Sequence, residues 1–204
     1  MKQKSRTEYS VMNTTVAFLA QTLAIFMGFF TRVVFTRTLS EGYVGINGLF
    51  TDILNILSLS ELGVGTAITY ALYTPIARRD IKKQQILMRM FRNFYRITAG
   101  FVLLAGLCLI PFLDILMKDR PDVNHLIIIY LLYLLNSVVS YLLIYKKTLV
   151  DAHQMNYITV MYHNGFLVLQ DILQIMVLFL TRNFILFLVI AVVCTIIGNI
   201  CMSR

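Results

Sequence analysis

Six apolar blocks, each close to the length of a membrane crossing, decide what this chain can fold into. They cover 13–35, 44–72, 94–117, 124–145, 157–180 and 184–201. A helix rising about 1.5 Å per residue needs about 20 apolar residues to cross about 30 Å of hydrocarbon. Lipid offers no partner to a backbone amide, so spanning segments are helices or closed barrels, and unbroken apolar blocks lack the alternation of barrel strands. The expected fold class is therefore all-α, a polytopic membrane protein of six transmembrane helices. Composition agrees: 58% of residues are hydrophobic and 14% charged, where a soluble domain carries about 25% charge.

Lysine and arginine then set the expected topology, since loops rich in them stay cytoplasmic. With a cytoplasmic N-terminus, 13 of the 18 basic residues fall on that side, and an even number of spans returns the C-terminus there. The first block follows Lys2, Lys4 and Arg6. It is too long for a signal-peptide core and ends without a small-residue cleavage pattern, so it reads as a retained anchor. The net charge of +8 is thus mostly topology. Its residues flank spans instead of forming a basic face with interleaved aromatics, which excludes nucleic acid as a partner.

Catalytic and metal chemistry find little footing. Cys108, Cys194 and Cys201 lie in or at the end of apolar blocks without C-x-x-C spacing and read as small buried residues. His125, His153 and His163 are mutually remote. "ELGVGTA" has two glycines but follows no strand, which fails the context a phosphate loop requires. No metal site, cofactor or catalytic constellation is expected.

Polar residues inside the blocks carry more information. At about 100° per residue, Thr14, Gln21, Gly28 and Arg32 share one face of the first span. Asn47, Thr51, Asn55, Ser58, Thr66 and Thr69 form a stripe on the second, flanked by Asp52 and Glu61. Tyr130, Tyr133, Ser137, Ser140 and Tyr141 cluster on the fourth. Asn156, Thr159, His163, Gln170, Gln174 and Thr181 align on the fifth, with Asp171 beside them. The third and sixth spans hold few polar groups and read as facing lipid or apolar neighbours.

Two readings of the stripes are open. Bundles use such side chains as interhelical hydrogen-bonding groups, whereas charged groups at bilayer depth generally face a partner or a hydrated cavity. Stripe length and the acidic residues favour a hydrated pathway. Arg32 either reaches for headgroups at the end of its span or shares the wet face with Gln21. Asp52 would then be its ion-pair partner across the first two spans, and Glu61, deeper, either takes up a proton or donates a hydrogen bond as a neutral carboxyl. Between the second and third spans, Arg78, Arg79, Lys82, Lys83, Arg89 and Arg92 surround an apolar face of Leu87, Met90, Phe91 and Phe94. That pattern predicts either a basic amphipathic elbow on anionic membrane lipid or a hairpin loop whose charges only fix topology.

The runs "GYVGINGLFTDILNILSLSELGVGTAITYALYTPIARRDIKK" (42–83) and "NSVVSYLLIYKKTLVDAHQMNYI" (136–158), with Asn13, Arg32 and Arg37, carry a resemblance. The chain is similar to the N-terminal half of bacterial polysaccharide transporters, the lipid-linked oligosaccharide flippases of the multidrug, oligosaccharidyl-lipid and polysaccharide exporter superfamily. The resemblance implies one six-helix lobe of a two-lobe flippase in the bacterial plasma membrane, both termini cytoplasmic. Its cargo would be an undecaprenyl-pyrophosphate-linked oligosaccharide repeat for cell-surface polysaccharide, and Arg32 would meet pyrophosphate or acidic sugar in a cationic cavity. Full members are about twice this length, with parallel six-helix halves. Residues 1–204 are therefore expected to be one N-terminal lobe, a fragment inactive alone and completed by a second lobe or a second copy. A multidrug exporter lobe of the same superfamily is the alternative. A polytopic enzyme on lipid-linked sugar is disfavoured, because the outer loops "TRTLSEGY", "KDRPDV" and "TRN" are too short to host a site.

Overall fold

The structure, a computed structural model, describes residues 6–58, 64–117, 123–142, 144–153 and 155–203. Among these residues it is all-helical: α1 (Arg6–Thr38), α2 (Glu41–Ser58), α3 (Val64–Ala77), α4 (Ile81–Leu109), α5 (Leu113–Leu116), α6 (Leu126–Leu142), α7 (Ile144–Ala152), α8 (Asn156–Thr181) and α9 (Phe184–Ser203). Four stretches are long and apolar enough to cross a bilayer: Val11–Thr38, Ile81–Phe112, Asn156–Thr181 and Phe184–Met202. Helices α6 and α7 make a fifth if counted as one span bent by 42°.

Of the predicted second span, 44–72, the described residues form α2 and α3, and 59–63 between them lie outside the described residues. Neither helix alone is among the stretches long and apolar enough to cross. Helix α2 has 18 residues but carries Glu41, Asp52, Asn47 and Asn55, and it is not among the stretches apolar enough to cross. Helix α3 has 14 residues, about 21 Å, too short for the hydrocarbon layer. The basic elbow departs from expectation. Residues Ile81–Leu109 form one 29-residue helix, so Lys82, Lys83, Arg89 and Arg92 continue into the predicted third span without a joint. A tight corner precedes it: Arg79 is left-handed, φ 55°, and the Asp80 carboxylate caps the new helix by accepting from the Lys83 N–H at 3.0 Å.

Helix α1 runs parallel to α8. The Asn13 side-chain oxygen accepts from the Tyr157 N–H at 2.8 Å, and the Thr31 hydroxyl donates to an Asp171 carboxylate oxygen at 3.0 Å. The other side of α1 presents Phe18, Leu19, Ile25, Phe26 and Phe29, all exposed. Threonines on such a surface need a partner in lipid; Thr22, Thr36 and Thr38 find it by donating to the carbonyls of Phe18, Arg32 and Val34.

Helix α6 occupies the middle, packed between α4, α2 and α9. Its approach to α4 follows from one proline. Pro111 has no N–H to give the Leu107 carbonyl, and the Ile110 N–H turns to that oxygen in a short 3-10 segment, Ile110–Phe112. The Gly106 carbonyl thereby loses its usual donor. The buried Tyr130 hydroxyl supplies one at 2.8 Å, and a Cβ on Gly106 would run into Leu134. Phe50 of α2 packs edge-on against Tyr130, ring centroids 5.1 Å apart. At the far end of the bundle Phe35, Tyr43, Phe184 and Phe187 form an aromatic cluster with centroids 5.2–5.9 Å apart.

Helices α8 and α9 form a hairpin with two residues between them. Arg182 takes the left-handed conformation, φ 50°, and its N–H bonds the Leu178 carbonyl. The Asn183 side chain then accepts from the N–H groups of Ile185 and Leu186, closing the start of α9. Of the three cysteines, Cys194 is buried, while Cys108 and Cys201 are exposed on their helices, contrary to the sequence expectation. A cysteine inside an apolar block has no means of selecting the bundle side over the lipid side.

Candidate functional site

The polar face of α6 opens onto three adjoining cavities. One, of about 270 Å³, lies between α6, α7, α8 and α9 and is lined by Ser137, Ser140, Lys147, His163, Gln170, Thr195 and Asn199, over apolar walls that include Phe166 and Leu167. A second, of about 300 Å³, lies between α2 and α6, with Thr51, Asn55, Ser58, Tyr133, Ser137 and Ser140 on its walls. The third, of about 190 Å³, joins Asn47, Tyr133, Gln170 and Gln174.

Asn136 lines all three. Its side-chain carbonyl oxygen is buried and has no hydrogen-bond donor. An unsatisfied acceptor at that depth is costly. A small rotation of the amide would bring it to the cleft, whose three cavities Asn136 lines.

Other polar side chains along the cleft are already committed. The Gln174 amide donates to the Phe187 carbonyl at 3.0 Å and is buried, so it clamps α8 to α9. The Tyr133 hydroxyl donates to the Asn47 side-chain oxygen, joining α6 to α2. The Asn199 amide donates to the Val139 carbonyl at 3.2 Å. That oxygen lies in the last turn of α6, where carbonyls lack intrahelical donors.

Of the residues singled out by sequence, Asn55, Tyr133, Ser137, His163, Gln170 and Gln174 lie on these walls. Gln21, Arg32 and Asp52 are exposed and lie elsewhere. The Arg32 guanidinium sits 5.6 Å from the Phe35 ring centroid on its own helix, and among the described residues it makes no ion pair with Asp52. Asp171 is half-buried and engaged by Thr31. Glu61 lies outside the described residues. Of the basic set, Arg78, Arg79, Lys82, Lys83 and Arg89 are exposed, and Arg92 is half-buried.

Four wall residues, Asn136, Lys147, Thr195 and Asn199, are not picked out by the sequence stripes. Asn136 is legible as the one amide within "YLLYLLNSVVSYLL", but it stands beside the line of hydroxyls instead of on it. Thr195 and Asn199 belong to a span that reads as wholly apolar, where a polar pair four residues apart is the only signal. Among the described residues, no group of three or more His, Cys, Asp or Glu is placed to share a metal ion.

Chemically, the walls offer amides, hydroxyls, one imidazole and one ammonium, and the linings of these three cavities contain no carboxylate. Such a surface hydrogen-bonds neutral hydroxylated or anionic solutes, and its apolar walls suit the C–H faces of sugar rings. The chain matches no protein-family model, and no curated protein or solved structure matches it.

Proposed function

We propose that this protein is a flippase lobe that moves a lipid-linked oligosaccharide repeat across the bacterial plasma membrane for cell-surface polysaccharide synthesis. The observation that carries the reading is the unsatisfied Asn136 oxygen at the junction of three polar-walled cavities, inside a bundle whose outer surface is apolar. Sugar hydroxyls cannot cross hydrocarbon without partners, whereas a polyprenyl tail can remain in the bilayer throughout. A cleft of hydroxyls and amides along one helix supplies those partners in sequence. The choice of a lipid-linked oligosaccharide as cargo rests on the resemblance read from the sequence.

In this reading the partners are the lipid-linked oligosaccharide, membrane lipid, and a second lobe or second copy that closes the cleft. Both termini lie in the cytoplasm, and the chain does no covalent chemistry. The lining also weighs against a multidrug exporter lobe, since cationic drugs call for carboxylates and the cleft presents an ammonium.

The test is accessibility. In a chain whose native cysteines are replaced by alanine, Asn136→Cys is expected to react with a membrane-impermeant thiosulfonate, and lipid-linked oligosaccharide is expected to slow the reaction. No labelling under any condition defeats the proposal. Protection by cationic dyes alone shifts the assignment to a drug exporter.

A further inference from the structure

Helix α4 carries its positive charge as a ridge outside the cleft. At about 100° per residue, Arg89, Arg92 and Arg96 fall within an arc of about 60°, turned about 120° from the packed face, which consists of Phe91, Tyr95, Thr98 and Val102, all buried. Arg89 and Arg96 are exposed, and Arg92 is half-buried. The Nε of Arg92 is out of contact with solvent and has no acceptor. Helix α4 contains no Asp or Glu, and among the described residues no ion pair neutralises these three guanidinium groups.

Continuity of the helix fixes their relative heights. The apolar stretch from Ile97 through the 3-10 turn to Leu116 is about 30 Å long, which matches the hydrocarbon layer and places Arg96 at its edge. Arg92 then stands about 6 Å and Arg89 about 10 Å above that edge, spanning a headgroup layer about 5–8 Å deep. Lys82 and Lys83 lie about 20 Å above it, in water. Below the ridge, on the same side, Leu103 and Leu107 are exposed at 39% and 40%.

We propose that Arg89, Arg92 and Arg96 bind the phosphate of an anionic phospholipid whose acyl chains lie along Leu103 and Leu107. Guanidinium forks match phosphate oxygens with paired, charge-assisted hydrogen bonds, and the exposed Arg89 and Arg96 stand on either side of the half-buried Arg92. Only a molecule joining an anionic head to hydrocarbon tails satisfies both the ridge and the apolar strip beneath it. An acidic protein would meet the charge and leave the leucines uncovered. The site is separate from the cleft and does not depend on the cargo.

Native mass spectrometry of the full-length chain in detergent, with phosphatidylglycerol or phosphatidylcholine added, tests this directly. The wild-type protein is expected to retain phosphatidylglycerol preferentially. Arg89→Gln, Arg92→Gln and Arg96→Gln should each weaken that binding about fivefold and leave phosphatidylcholine unchanged, while Lys82→Gln with Lys83→Gln should have no effect. Because Arg89 and Arg96 are exposed, their variants keep the test valid even where Arg92→Gln loosens the fold. Equal retention of the two lipids by the wild type overturns the proposal, as does loss of preference in the lysine pair instead of the arginines. Competition by glycerol phosphate as strong as that of the whole lipid also overturns it, since the tails would then contribute nothing.

Discussion

At the scale of single residues, this protein shows how a polar group inside an apolar bundle is assigned its work by the partners within reach. Gln174 and Asn136 look alike in sequence, each an amide in a span. Gln174 finds the Phe187 carbonyl and becomes a clamp, whereas the Asn136 oxygen finds no donor and is left for the cleft. Tyr130 illustrates the first outcome with the most at stake, because its hydroxyl replaces the Ile110 N–H, which turns to Leu107 ahead of Pro111. Tyr130→Phe is expected to lower unfolding free energy by about 0.6–1.7 kcal/mol, measured by denaturant titration in bicelles, without altering the packing of the ring on Phe50. Gly106→Leu should be far more damaging, since its side chain must occupy the space of Leu134. Leu134→Ala is expected to restore part of that loss in the double variant, and absence of any rescue would disconnect the two positions.

Secondary-structure elements are legible from the sequence in proportion to how uniform they are. The apolar runs of α8 and α9 give helices whose limits lie close to those expected, whereas α1 starts at Arg6, seven residues before the predicted 13. The second predicted span is described only at its two ends, α2 and α3, and the polar stripe that marks one face of it also keeps α2 by itself out of the set apolar enough to cross. Continuity of α4 is illegible for the opposite reason. A block of charge beside a block of apolar residues reads as two pieces, but nothing between Ile81 and Leu109 interrupts the backbone hydrogen bonds. Asn93→Pro separates the two views. Asn93 is exposed, so in a continuous helix the substitution costs about 3 kcal/mol through the backbone alone, visible as a lowered melting temperature in detergent. A chain with a natural joint before residue 94 would tolerate it.

For the molecule as a whole, the central question is what holds the long first helix, since it leaves most of its surface to lipid. Its contacts run mainly along α8, and the Thr31–Asp171 hydrogen bond ties the two at mid-length. Asp171→Asn keeps an acceptor for the threonine and is expected to behave like the wild type. Asp171→Leu removes it and should destabilise the fold by about 1 kcal/mol, read from the same denaturant titration. If Asp171→Asn instead abolished transport with no loss of stability, the carboxylate would be a proton carrier and not a tether for α1. The general location of the polar-walled cavities is readable from stripes on the second, fourth and fifth spans. Their membership is not, because a stripe gives the direction of a side chain on its own helix and is silent about which neighbour stands opposite. Arg32 is the clearest instance: the guanidinium that best suited a cationic cavity lies instead over Phe35.

The hairpin at Arg182 and Asn183 has a mechanical consequence. With two residues between them and the corner held by the Arg182 N–H and the Asn183 side chain, the last two helices have little slack to slide or swivel against each other, and Gly198 seats one tightly on Phe166 of the other. They behave as a single jaw. If the proposed cleft widens, the two helices are expected to move as a unit, with the give on the opposite bank, where α6 and α7 meet at 42°.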